Sequence, residues 1–239
     1  MEVLGPLLDV VFPARCVGCG APPAAICPRC LARARPAPAG PGEAVPPPEL
    51  DWWVAAFAYE GAVREALARV KYRNARSALP ALATALADRL GRSATGPVDV
   101  VTWPPTTAPR RRQRGFDQAE HLARAVGGAL GVPVRGCLIR RAGAAQTGRS
   151  AGERRRGPVF AVPAGAVAGP RVLLVDDVAT TGATLAAAAR ALRVAGAGAV
   201  GAATVARTPR RARPPPGPAR GADRSPGTQG ALWGRRYQQ

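Results

Sequence analysis

The sequence predicts an α/β domain with a mainly parallel sheet flanked by helices, preceded by a small four-cysteine zinc module. Three observations predict it. Apolar runs such as "RVLLVDDV" and "AVGAATVAR" lack polar alternation, as parallel strands covered on both faces do. Stretches with apolar residues at helical spacing alternate with them. Two Cys-x-x-Cys pairs stand close together near the start.

The pairs lie in "CVGCGAPPAAICPRC" and supply Cys16, Cys19, Cys27 and Cys30. Thiols of a cytosolic chain stay reduced and favour metal over disulfide. Two such knuckles close a tetrahedron around zinc, with Gly18 and Gly20 suited to the tight turns. A tetrathiolate site carries about −2 in charge, which Arg15, Arg29 and Arg33 offset. A closed shell leaves no position for a substrate, so the expected role is structural. A redox dithiol, or a site that has lost its metal, is the alternative reading. Cys137 stands alone and reads as a buried small hydrophobe.

Residues 1–35 therefore form the zinc module. Residues 36–50, "PAPAGPGEAVPPPEL", read as a Pro-rich linker. The main domain spans 51–207. It opens on "DWWVAAFAYEG", a strand, followed by a helix carrying Val63, Leu67 and Val70 and a second carrying Leu79, Leu82, Leu86 and Leu90. "VDVVTW" (98–103) is a short buried strand leading into a Pro-rich, basic loop. A helix follows with Phe116, Ala119, Leu122, Val126 and Leu130 on one face. "TTGATLAAAARALRVAG" is a helix between two buried strands, closed by Gly196. Residues 208–239 are Pro-rich and basic and read as a disordered tail.

The 239 residues carry a net charge of +19, and Lys71 is the only lysine. Arginine forks onto phosphate oxygens better than lysine does, so the expected partners are phosphorylated small molecules, nucleic acid, or both. The start, MEVLGPLLDVVFP, is broken by Gly5, Pro6 and Asp9. No apolar run is long enough to span a bilayer. A cytoplasmic chain without membrane insertion is expected.

Function concentrates in "VLLVDDVATTGATL", residues 172–185. Ala179, Thr180, Thr181, Gly182, Ala183 and Thr184 lead from a strand into a helix. The first amides of a helix have no intrahelical acceptor, and the dipole behind them favours an anion. The turn therefore reads as a phosphate cradle, with Gly182 allowing close approach and the threonine hydroxyls adding donors. The preceding carboxylates, Asp176 and Asp177, oppose an anion. A carboxylate about 8 Å from a phosphate charge costs about 2 kcal/mol at an effective dielectric near 20. Sugar hydroxyls or a divalent metal on the same ligand would offset that cost. A ribose 5-phosphate provides the hydroxyls, and with a diphosphate at C1 it lets Mg²⁺ bridge sugar and diphosphate oxygens. The motif reads as a site for phosphoribosyl diphosphate (PRPP) or another ribose 5-phosphate ligand.

Two other readings compete. "LLVDD" also fits the acidic strand end of response-regulator receivers, but those need a further Asp and a Lys downstream. Here the next Asp is Asp223, and no Lys follows. Capping of the next helix accounts for one Asp and not for two.

"VLLVDDVATTGAT" resembles the PRPP signature of type I phosphoribosyltransferases. "RRRQRGFDQAEHLARAV" is similar to the Arg-Gly-Phe-Asn-Gln segment of the ComF family of competence-associated proteins. "AQTGRSAGERRRGPVF" and "KYRNA" resemble further elements of that family, and the four-cysteine unit belongs to its layout. The chain departs from the pattern at Asp117, Asn74 and Gly157. The resemblance implies a type I phosphoribosyltransferase-like fold and a loop near Pro104–Thr107 that faces pyrophosphate. Arg110, Arg111, Arg112 and Arg114 fit the same task, neutralising a departing diphosphate. Asp176, Asp177 and Arg111 are the catalytic candidates. Arg112, Arg114 and Lys71 join the 179–184 turn and the acid pair as PRPP-binding candidates, with Gln146 and Arg154 behind them. His121, mid-helix, reads as a half-buried surface residue rather than a base. Phosphoribosyl transfer with Mg²⁺ is the expected activity. The rival is a single-stranded DNA-handling accessory of the competence machinery, with few aromatic residues for base stacking.

Overall fold

The computed structural model describes residues 14–38, 46–73, 75–93, 95–141, 158–167 and 169–209. Gln146, Arg154, Gly157 and Asn74 lie outside the described residues, as does the tail beyond residue 209. Strands β1 (Trp52–Ala58), β2 (Val100–Thr102), β5 (Arg171–Ala179) and β6 (Ala199–Arg207) form one sheet in the order β1-β6-β5-β2. All three pairings are parallel. A small antiparallel hairpin joins β3 (Ile139–Arg140) to β4 (Phe160–Ala161).

Helices cover both faces. Before the sheet lies the short helix α1 (Pro28–Ala32). Then come α2 (Gly61–Arg73), α3 (Leu79–Gly91), α4 (Ala108–Arg114), α5 (Gln118–Leu130) and α6 (Ala183–Val194). The two-residue period of a strand sorts β5 between two cores. Leu173 and Val175 join Val63, Leu67, Leu82, Leu86 and Leu122 on the α2/α3/α5 side. Val172 and Leu174 join Leu185, Leu192 and Phe160 on the α6 side. A strand buried on both faces has no polar alternation, which is why this one reads as a continuous apolar run.

Two features differ from the sequence reading, and a third adds to it. The basic stretch expected as a loop is helical over Ala108–Arg114, because Pro109 falls in the first turn, where its missing N–H costs nothing. The start of the stretch read as a linker is bound to the sheet. The Ala37 amide donates to the Ala56 carbonyl (3.0 Å) and the Ala58 amide to the Arg35 carbonyl (3.0 Å), along the outer edge of β1. The four-cysteine segment shares the main core, with Ala25, Ile26 and Leu31 buried in the same cluster as Val63 and Leu67. Cys137 is buried, as expected. No helix among the described residues is long and apolar enough to cross a membrane.

Candidate functional site

The site lies at the carboxyl ends of β2 and β5, where ligands enter open α/β sheets. Asp176 and Asp177 are adjacent on β5, so their side chains start toward opposite faces. Asp177 turns to the α2 side. Its Oδ2 meets Lys71 Nζ at 2.9 Å, with both side chains largely buried. Its Oδ1 accepts from the Val178 amide at 2.6 Å. Asp176 Oδ1 accepts from the Asp177 amide at 2.8 Å. Burial, then the neighbouring Asp177, push the Asp176 carboxyl up to about 8, against the pull of the Asp177 amide and Lys71. Lys71 pairs directly with Asp177, so at Asp176 burial and the like charge beside it outweigh the pull of the lysine.

Both acids line a cavity of about 280 Å³. Around them stand Lys71, Arg110, Arg114, Asp117, Arg140 and Thr184. A second recess of about 40 Å³ adjoins it, lined by residues 178–185 together with Asp176. The turn that the sequence reads as a phosphate cradle lines this small recess. Gly182 sits at its turn with φ +78°, a conformation that favours glycine. The Thr181 hydroxyl accepts from the Ala183 amide at 3.3 Å and so shapes the turn. Pro47 seats against Gly182 from behind, where an added Cβ would come within 3.0 Å of its ring.

The loop after β2 is fixed by Asp117. Its Oδ2 accepts from the Thr106 amide (2.8 Å) and its Oδ1 from the Ala119 amide at the start of α5 (3.1 Å). The latter is an N-cap, which explains an acid at this position. Arg140 was not legible as a site residue. Its guanidinium donates to the Pro105 carbonyl at 3.3 Å and lies 5.5 Å from the Phe160 ring centroid. Burial, then Arg110, hold it below its ordinary value, opposed by Asp176 and Asp117.

The expected arginines divide. Arg110 and Arg114 line the cavity, and Arg114 donates to the Gln118 carboxamide at 3.3 Å. Arg111 and Arg112 are exposed on α4 and do not line it. His121 is exposed, edge-on to Phe116 with centroids 5.3 Å apart, and lines no part of the cavity.

At the other end of the chain the four thiols lie within 4.8 Å of one another. Cys19 Sγ and Cys27 Sγ are 3.7 Å apart, the edge expected of a tetrahedron with Zn–S bonds of about 2.3 Å. Cys16 Sγ accepts from the Gly18 and Cys27 amides at 3.4 Å each. Burial alone would raise the Cys16 thiol, but these amides and that of Cys19 bring it down to about 6. A Cβ on Gly18 would come within 2.7 Å of Cys30 Sγ. The donor set fits zinc, and this is the one group of three or more metal-ligating side chains gathered closely enough among the described residues.

These features define an α/β protein with a glycine turn opening a helix beside paired carboxylates. The chain belongs to the phosphoribosyl transferase domain family, whose description matches residues 112–239. That stretch holds the acid pair and the turn, but neither Lys71 nor the four cysteines. No curated protein matches the chain. Among solved structures it is similar to the glutamine PRPP amidotransferase from B. subtilis, in complex with ADP and GMP (27% identity, 53% of this chain, 26% of that one, TM-score 0.38). It is also similar to an allosteric regulatory enzyme of purine biosynthesis (26% identity, 52% of this chain, 25% of that one, TM-score 0.37). A third is the adenine phosphoribosyltransferase from Leishmania tarentolae (20% identity, 55% and 58% covered, TM-score 0.35). The chain thus spans about a quarter of the first two and just over half of the third.

Proposed function

We propose that the chain is a ComF-type cytoplasmic phosphoribosyltransferase that binds PRPP with Mg²⁺ in this cavity and carries a structural zinc on Cys16, Cys19, Cys27 and Cys30. The observation that carries the reading is the junction of the two recesses: Asp176, Val178 and Thr184 belong to both. A phosphate in the small one places its sugar over the acid pair. The amides and hydroxyls of Thr180–Thr184 hold the 5-phosphate, each bond to the charged group contributing about 1.5–3 kcal/mol. Asp176 and Asp177 accept from the ribose hydroxyls and orient the ring.

The loop 104–107, with Arg110, Arg114 and Arg140, faces the diphosphate. Cleavage of the C1–O bond leaves an oxocarbenium-like sugar and sends an electron pair to the leaving oxygen. Cations already in place around that oxygen stabilise the charge as it develops. All-oxygen donors suit Mg²⁺, which Asp176 and Asp177 would hold jointly with ligand oxygens and which supplies further charge neutralisation when bound. No side chain is assigned as a base for the acceptor.

Isothermal titration with PRPP and Mg²⁺ tests the reading. Wild type should release heat, and the Asp176→Asn/Asp177→Asn double variant should lose at least tenfold in affinity. A silent wild type would end it.

A single-stranded DNA role within the competence machinery has one observation in its favour. Arg111 and Arg112 project from α4 outside the cavity, on a chain of net charge +19. Phosphate tracking by such residues predicts a steep salt dependence of binding. Equal affinity at low and high salt would argue against it.

A further inference from the structure

Lys71 is the only lysine in the chain. It reaches from the last turn of α2 to the acid pair, and its ammonium lies 2.9 Å from Asp177 Oδ2. Asp177 Oδ1 is already committed to the Val178 amide, and Asp176 Oδ1 to the Asp177 amide. The oxygen of Asp177 best placed to meet a metal or a sugar hydroxyl is therefore the one Lys71 occupies.

The charges around the cavity sharpen the point. Lys71, Arg110, Arg114 and Arg140 line it against Asp117, Asp176 and Asp177. A bare divalent cation meets more positive groups than negative ones. Asp176 and Asp177 also gather no third acidic, histidine or cysteine ligand among the described residues. A metal already held by a sugar diphosphate brings its own oxygens and a net negative charge, and both objections vanish. A lysine on a flexible stem can then leave the carboxylate for a phosphate oxygen.

We propose that Lys71 stands in for the divalent cation at Asp177 in the ligand-free protein, so that metal enters only together with the sugar diphosphate and not ahead of it. This rests on the PRPP reading above. A merely structural ion pair would hold α2 against β5 and would stay closed when PRPP and metal bind.

Mn²⁺ is the probe, its free fraction read by electron paramagnetic resonance on the full-length zinc-loaded protein. Thiolate sites disfavour Mn²⁺, so the cysteines do not compete for it. Without PRPP, Lys71→Met should bind Mn²⁺ at least tenfold more tightly than wild type. Lys71→Arg should behave as wild type, and Lys71→Met/Asp177→Asn should lose the gain. Amine acylation of unmutated protein is the second readout. Peptide mapping separates Lys71 from the terminal amine. Mn²⁺ alone should leave Lys71 labelling unchanged, and PRPP with Mn²⁺ should alter it several-fold.

Equal Mn²⁺ affinity in wild type and a folded Lys71→Met, alongside PRPP binding by wild type, would overturn the role of Lys71 and leave the PRPP reading standing. If Lys71→Met does not fold, a change in wild-type labelling with Mn²⁺ alone would overturn it instead. A gain in Mn²⁺ binding with no PRPP binding by wild type would keep Lys71 as the stand-in and discard the sugar diphosphate as its displacer.

Discussion

Asp117 and Thr106 are joined by a 2.8 Å hydrogen bond from the Thr106 amide to Asp117 Oδ2, while the other carboxylate oxygen caps α5 at Ala119. One buried side chain thus ties the loop facing the cavity to the helix behind it. Asp117→Ala removes the cap and orphans a loop amide, and should cost about 1–2 kcal/mol of stability. Asp117→Asn keeps one acceptor oxygen for the cap but sets its NH₂, a donor, against the Thr106 amide, and should cost about 1 kcal/mol, less than Asp117→Ala, through the loop contact alone. Urea unfolding of the three proteins checks the order. Equal losses in both variants would remove the capping role.

Gly182 adopts φ +78° and has the Pro47 ring 3.0 Å from where a Cβ would stand. Gly182→Val therefore meets both backbone strain and a steric block at the turn of the cradle. Affinity for ribose 5-phosphate should fall at least tenfold, equivalent to about 1.4 kcal/mol. The strands and helices should survive by circular dichroism. Unchanged affinity would mean that the recess lined by 178–185 does not hold the phosphate.

The four-cysteine segment is packed into the main core through Ile26, which is fully buried. Metal removal should therefore reach beyond the segment itself. Elemental analysis should find one zinc per chain, and Cys27→Ser should lower that occupancy. A strong chelator should lower the melting temperature of the whole domain in a single transition. A chelated protein melting as before would assign the site no folding role.

Legibility followed the length and regularity of each signal. β5 and α6 could be read because nine apolar-rich residues run straight into a Thr-Thr-Gly turn and a periodic helix. The cysteine spacing was as plain. Arg140 was hidden because β3 has two residues and no period, and its partner carbonyl at Pro105 is 35 positions away. The choice among Arg110, Arg111, Arg112 and Arg114 needed the helix that the prolines disguised. At about 100° per residue, neighbouring arginines on a helix point in different directions. Ile26 gave no signal either, since one apolar residue in a loop does not reveal which core it enters.

The acid pair also sets a pH dependence. Asp176 is pushed up to about 8 by its burial and by Asp177, against an ordinary carboxylate value of 3.8. Between those two values the folded chain holds a proton that the unfolded chain has released. Stability then falls as pH rises, because the unfolded state binds fewer protons. The ligand-free protein should be less stable at pH 8 than at pH 5.5 through this residue. Asp176→Asn cannot ionise, so it should flatten that part of the slope and melt above wild type at pH 8. PRPP with Mg²⁺ needs the carboxylate ionised, so binding near pH 7 should release a proton. Titration in buffers of different ionisation enthalpy would measure that release. Thermal melts of wild type and Asp176→Asn at both pH values cancel the contribution of the thiols, which the two proteins share. Parallel slopes would show that Asp176 is ionised in the free protein and that Lys71 neutralises both acids after all.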